Sequence, residues 1–445
     1  MRAGRRRAVE IADAAIATAH AQNPAVNAFT DWTETRMRGE AAALDADPAV
    51  AGPLAGVPYA VKNLLAIAEL TTRAGAKIER ETPPATADSA VVRRASAAGG
   101  LLMGALNMGE YAYDFTGENA HDGACRNPHD LGRMSGGSSS GSGAAVAAGL
   151  VPIAYGSDTN GSIRVPAALC GVFGLKPTYG RISRLGCFPF CDSFDHLGPL
   201  ARTPKDLALA YDAIQGREPD DPHQADGLVE PTAPLIDRGV GGLRIAIAGG
   251  YFATDGLADA GRAVAAAAAA LGATRTVPID GAAEARAAAY LITNIEGATL
   301  HLANLRARPG DFDPDTRDRF LAGALLPGAW GVRAQQVRRW FAGKMAALFS
   351  EIDLLIAPAT PFTAPQIGQR EMTLGGRTML VRPNLGLFAQ PFSCVGLPVA
   401  AAPVFPPGEL PIGVQLVAAP WREDLCLRAA QALHRAGVAI THPPP

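Results

Sequence analysis

A chain of 445 residues with 40 Lys plus Arg against 42 Asp plus Glu has a formal net charge of −2. It holds no concentrated basic surplus to displace counterions from a polyphosphate, which excludes a nucleic-acid partner. Hydrophobic residues make up 48% and charged residues 18%. That composition fits a large buried core, yet no apolar run reaches the roughly 18 residues of a membrane span.

In chain order, Arg5-Arg6-Arg7 imitates the basic start of a signal peptide, but Glu10 and Asp13 break the apolar stretch that a leader needs. Val9 to Ala19 reads as a helix instead. Val57 to Lys62 is an apolar run of strand length that closes on a lysine. Asp88 is a candidate N-cap for a helix over Ser89 to Ala98, ended by Gly99-Gly100. Strands follow at Leu101 to Leu106, Val151 to Gly156 and Val172 to Lys176, and Thr203-Pro204 opens a helix with proline in its first turn. Gly216 to Gly242, rich in Asp, Pro and Gly, reads as a surface connection between two well-patterned halves. Further strands are expected at Leu243 to Ala248, Leu354 to Pro358 and Gly413 to Val417. Glu423 to Arg435 is an amphipathic helix whose Leu425, Leu427, Ala430 and Leu433 face the core. Strands alternating with helices predict an α/β fold, and no linker or repeat divides it, so residues 1–445 are expected to form one domain. The six cysteines are scattered, unlike a disulfide framework, and fit a reducing, cytoplasmic setting.

Chemistry concentrates in two segments. Ser135-Gly136-Gly137-Ser138-Ser139-Ser140-Gly141-Ser142-Gly143 runs into the apolar Ala144 to Ala148, placing flexible backbone and hydroxyls at a helix start. A phosphate loop would need a lysine after these glycines, and none is present. Gly137-Ser138-Ser139-Ser140-Gly141 matches Gly-x-Ser-x-Gly, but a nucleophile elbow must follow a strand, and Asp130 to Ser135 is polar. The second segment, Ser157 to Pro166, follows the strand at Val151 to Gly156, where α/β folds present functional side chains and backbone N–H groups can cradle an anion. A serine hydroxyl needs a base, and none of the histidines shows a triad order around Ser162. Lysine serves when burial lowers its pKa, and Lys62 closes an apolar strand, although a lysine at a strand end is by itself more often a surface residue. Cys187, Cys191 and His196 lack the paired spacing of a structural zinc site.

Five blocks taken together carry a resemblance. They are Gly56-Val57-Pro58-Tyr59-Ala60-Val61-Lys62-Asn63; Gly137-Ser138-Ser139; Asp158-Thr159-Asn160-Gly161-Ser162-Ile163-Arg164-Val165-Pro166 with Gly174-Leu175-Lys176-Pro177-Thr178; Gly198-Pro199-Leu200-Ala201-Arg202; and Leu410-Pro411-Ile412-Gly413-Val414-Gln415. In this order, over about residues 23–435, the chain resembles the amidase signature serine hydrolases. The resemblance implies a mixed sheet surrounded by helices that cleaves amide bonds without metal or organic cofactor. It implies Lys62 as base, Ser138 as a bridging serine after a cis peptide bond, and Ser162 as the acyl-forming nucleophile. The backbone N–H groups of Thr159, Asn160, Gly161 and Ser162 would form the oxyanion hole, and Gly137, Asp158 and Arg164 would support the loops.

Asn160 replaces a glycine found in most members, and this departure, with Phe194 to Pro199 and Pro411 to Trp421, resembles the carboxybiuret-hydrolase group. That group deaminates a small carboxylated urea derivative alongside a small helical partner subunit. Oxamate-type amidases and the ammonia-delivering chains of the glutaminyl-tRNA amidotransferases are the alternatives. A carboxylated substrate needs a cation, and Arg133, Arg181 and Arg184 flank the motif blocks. Members usually carry another amphipathic segment before the first helix, whereas this chain starts at Met1-Arg2-Ala3-Gly4. A partner is expected to cover the apolar groove that such a start leaves.

Overall fold

Eleven strands hydrogen-bond into one mixed sheet in the computed structural model, which describes residues 6–47, 52–227, 229–254, 257–374, 376–406 and 408–444. Across the sheet they lie in the order Phe29–Trp32, Leu101–Leu106, Pro58–Lys62, Ile153–Asp158, His196–Ala201, Phe173–Lys176, Val399–Val404, Ile412–Ala418, Leu354–Pro358, Ile245–Gly249 and Arg275–Pro278. The Lys62 strand runs parallel to both of its neighbours, Leu101–Leu106 and Ile153–Asp158. Their carboxyl ends therefore open on the same side, where α/β sheets build sites.

Successive side chains of a strand point to opposite faces, and here both faces are buried. Tyr59 and Val61 pack into one core and Ala60 into the other, and Ile153 and Tyr155 are likewise divided from Ala154. This explains why the central strands read as unbroken apolar runs. Helix Ser140–Ala147 covers one face, and helices Pro204–Ile214, Ala258–Leu271 and Glu423–Arg435 cover the other. Leu425, Leu427, Ala430 and Leu433 are buried, as the periodicity predicts. The architecture is the expected single-domain α/β fold.

Several boundaries differ for identifiable reasons. The strand expected at Val151 begins at Ile153, because Pro152 has no N–H to donate, and it extends to Asp158, which pairs with His196. Asp88 caps no helix. Its carboxylate is held by the Arg36 guanidinium at 2.8 Å and by the Ala68 N–H, and the helix Ala90–Ala97 follows Ser89 instead. Polar Asp130–Met134 is a strand after all, but in a two-stranded ribbon with Arg126–Asn127 outside the main sheet. Within Gly216 to Gly242 a short 3-10 helix, Ala233–Arg238, packs against the core through Ile236. The first helix is longer than predicted, Ala8–Val26, while the expected start at Met1–Gly4 lies outside the described residues.

Candidate active site

Lys62 ends its strand fully buried, with Nζ 2.7 Å from Ser138 Oγ and 2.8 Å from Ser157 Oγ. Burial lowers its pKa to about 7 against the opposing influence of Cys187, Asp195, Asp158 and Asp114. Ser157 sits on the adjacent parallel strand. Sequence reasoning passed over it, because it reads as one more residue of a buried strand and only the parallel pairing of the two strands brings it to Lys62.

Ser138 lies in the loop before helix Ser140–Ala147, and the Gly137–Ser138 peptide is cis. Gly137 is closely packed: an added Cβ would stand 2.7 Å from Asp114 Oδ2 and 3.0 Å from the Gly117 nitrogen, so a larger residue would have to displace the Asp114 carboxylate. The Ser139 N–H donates to the Ser162 carbonyl at 3.3 Å, tying this loop to the second one. Ser139, Ser140 and Ser142 spend their hydroxyls on the carbonyls of Ser157, Asn107 and Tyr155.

The Thr159–Ile163 loop is shaped by Asp158 and Arg164, both fully buried and 2.9 Å apart. One correction concerns the expected oxyanion hole. The Gly161 N–H donates to Asp158 Oδ1 at 2.7 Å, so it braces the loop and is not free for substrate. The N–H groups of Thr159, Asn160 and Ser162 carry no hydrogen bond among the described residues. Thr159 Oγ1 donates to Asp195 at 2.7 Å, and Asp195 also accepts the N–H groups of Phe190 and Cys191.

Ser162, Thr159 and Asn160 line a narrow pocket closed by Tyr113, Arg319 and Gln390. The Arg319 guanidinium lies 3.5 Å over the Tyr113 ring and donates to the Tyr113 carbonyl at 2.9 Å. The three flanking arginines are elsewhere. Arg133 pairs with Asp130, Arg181 with Glu230 and Glu423, and Arg184 approaches Asp192 and Asp195. Arg319 was missed because its helix, Pro314–Ala324, carries no motif and meets the loops only through the fold.

A second buried lysine, Lys176, also has its pKa lowered to about 7 by burial and by the Arg164 charge. Its Nζ donates to the carbonyls of Pro177 and Leu397, so it is held by backbone and touches neither serine. His196 is neutral, since burial holds it well below its usual pKa, and its Nδ1 faces the Asp158 and Phe194 carbonyls. Cys191 Sγ donates to Glu296 at 3.0 Å. Among the described residues no cluster of His, Cys, Asp and Glu has the arrangement of a metal site.

A buried lysine beside two serine hydroxyls, at the strand ends of a mixed sheet and next to a closed pocket, has the make-up of a hydrolytic site. The family described as Amidase matches residues 10–427. The chain is 53% identical over 442 residues to the AtzE subunit of 1-carboxybiuret hydrolase from Pseudomonas sp. (strain ADP), covering 98% of this chain and 96% of that one. It is 36% identical over 461 residues to a glutamyl-tRNA(Gln) amidotransferase subunit of Thermus thermophilus, covering 96% and 93%. Among solved structures, one described as a vestigial protein complex revealing the origins of an s-triazine catabolic enzyme superposes with a TM-score of 0.98 at 52% identity, covering 99% of this chain and 97% of that one. 6-Aminohexanoate cyclic dimer hydrolase, solved with substrate, superposes with a TM-score of 0.85 at 31% identity, covering 97% and 94%. The chain belongs to the amidase family. It is an enzyme that hydrolyses amide C–N bonds.

Proposed function

We propose that Lys62, Ser138 and Ser162 act as base, bridge and nucleophile on a small carboxylated amide or urea derivative of the 1-carboxybiuret type. The observation that carries this reading is the fully buried Lys62 amine 2.7 Å from Ser138 Oγ. Desolvation makes the neutral amine accessible near pH 7. Neutral Lys62 takes the Ser138 proton as Ser138 takes that of Ser162, and the Ser162 oxygen attacks the amide carbonyl. The N–H groups of Thr159, Asn160 and Ser162 receive the developing oxyanion, each contributing about 3 kcal/mol by analogy with other oxyanion holes. The proton returns through Ser138 to the departing ammonia. Water then enters by the reverse route, releasing the acid and restoring Ser162. No metal or organic cofactor takes part in this scheme.

Arg319 supports the substrate class, since it brings a cation to the pocket that holds Ser162. The amidotransferase reading has weaker support, because the relatives of that name are 34–36% identical and the carboxybiuret-hydrolase chain is 53% identical. The latter is named as one subunit of its enzyme, and the 52% identical structure is described as a complex. A small helical partner subunit is therefore part of the proposal. The free cysteines agree with a cytoplasmic setting.

Ammonia release from 1-carboxybiuret, biuret, oxamate and glutamine, with and without the candidate partner, tests the assignment. The expected result is 1-carboxybiuret first and glutamine negligible; preferential glutamine turnover would overturn it. The same assay checks the base. With a Lys62 pKa of about 7, only the deprotonated fraction is active, so kcat/KM rises through pH 7 and falls tenfold per unit well below it. A profile flat from pH 5 to 8 would remove Lys62 from the role.

A further inference from the structure

Helix Ala282–Ala307 crosses the catalytic pocket with Arg286, Tyr290 and Thr293 on one stripe, since spacings of four and three residues share a helix face. Two of these side chains hold carboxamides that line the pocket. Arg286 Nε donates to Gln390 Oε1 at 2.8 Å, while its Nη2 is anchored on Asn384 Oδ1 at 2.6 Å and on the Pro383 carbonyl. An arginine can only donate, so the Gln390 oxygen must face it and the Gln390 NH2 is turned away. That NH2 has no hydrogen-bond partner among the described residues, and Gln390 is 2% exposed. Three residues beyond Tyr290, Thr293 Oγ1 accepts from Asn160 Nδ2 at 2.8 Å, which leaves Asn160 Oδ1 buried without a partner. Both amides belong to the pocket of Ser162.

An unpartnered donor on the pocket wall and a buried acceptor without a partner, both beside Ser162, are unsatisfied only until a complementary group arrives. We propose that Gln390 and Asn160 form a recognition pair for the part of the substrate beyond the scissile amide. Gln390 Nε2 donates to a second carbonyl oxygen, and Asn160 Oδ1 accepts from an adjacent N–H. The ligand class is a planar acylurea or diamide, which offers both edges at once. Arg286 and Thr293 are positioning residues: the arginine fixes which end of the Gln390 amide faces the pocket, and the threonine anchors the Asn160 carboxamide. The inference rests on the proposed reading of the pocket and adds the groups that read the substrate.

Binding to full-length Ser162→Ala, which separates recognition from turnover, tests the proposal by calorimetry. The probes are biuret, with a second carbonyl and N–H groups, and propionamide, which has only the scissile amide. The expected result is that Gln390→Met weakens biuret about tenfold and leaves propionamide within twofold, and that Asn160→Ala weakens biuret by at least as much. Arg286→Leu should weaken biuret by a similar factor, and adding it to Gln390→Met should cost little more, because both remove one interaction. Equal weakening of both probes, no effect on either, or no preference of the parent protein for biuret would overturn the pair. If the pattern holds while the active enzyme releases no ammonia from 1-carboxybiuret, the recognition pair stands and the choice of natural substrate falls.

Discussion

Ser162→Ala is expected to lower ammonia release by about 10⁴-fold or more while leaving the protein folded. In the proposed scheme the magnitude follows from losing the atom that forms the acyl bond, after which only binding and the oxyanion donors remain to accelerate attack by water. The fold should be spared, because Ser162 Oγ makes no hydrogen bond among the described residues and the deleted atom leaves a minimal void. Lys62→Met should reach a comparable loss by the opposite route, keeping the nucleophile and removing its base. Groups that act as a unit are not additive, so Lys62→Met with Ser162→Ala should be no slower than Ser162→Ala alone. Intact-mass measurement of the parent enzyme during turnover should show an acyl adduct that Ser162→Ala lacks. Retention of more than about a tenth of the activity in Ser162→Ala would send the search to another nucleophile.

What the sequence revealed depended on whether a residue's function was encoded locally. Lys62, Ser138 and Ser162 stand in short blocks whose order survives reading without a structure, and the strand ending at Lys62 announced itself by its apolar run. Asp158 and Arg164 were legible as a brace because they lie six residues apart across one turn. Ser157 was hidden by its own element, since it reads as one more strand residue until the parallel neighbour brings Lys62 to it. Arg319, Gln390 and Arg286 were hidden altogether. They come from three separate helices, and only tertiary packing gives their spacing any meaning. The Asp88 cap failed for a related reason: a preference of about 1 kcal/mol for capping yields to a bidentate arginine brought by the fold. The oxyanion loop shows the same limit, because its four consecutive N–H groups look alike in sequence and Asp158 claims one of them.

Replacing Arg164 with methionine should be the most damaging change for stability among the residues around the site. Its guanidinium is fully buried and donates to Asp158, to the Ala389 carbonyl at 2.9 Å, to Gln415 Oε1 at 2.7 Å and to Ser393 Oγ. It thereby joins the Thr159–Ile163 loop to the C-terminal part of the chain. Burial alone would push the Asp158 carboxyl up; the Arg164 charge and hydrogen bonds, with Lys176 behind them, outweigh it and hold the group well below the usual carboxylate range. Arg164→Met leaves that carboxylate buried and unpaired, and breaking such a pair costs about 3–5 kcal/mol. The pH dependence identifies the cause. In the parent protein the depressed carboxylate contributes stability that is present above its unfolded pKa of about 3.9 and lost as pH falls below it. In Arg164→Met the orphaned group is raised by burial and takes up a proton in the folded state, so the variant's deficit should shrink as pH falls from 8 to 5. Asp158→Asn added to Arg164→Met should recover part of the loss at pH 8, because it removes the charge and keeps an oxygen for the Gly161 N–H. Denaturant unfolding of the parent and the two variants at both pH values checks this, and a deficit that is independent of pH and unrelieved by Asp158→Asn would mean that the arginine acts through packing alone.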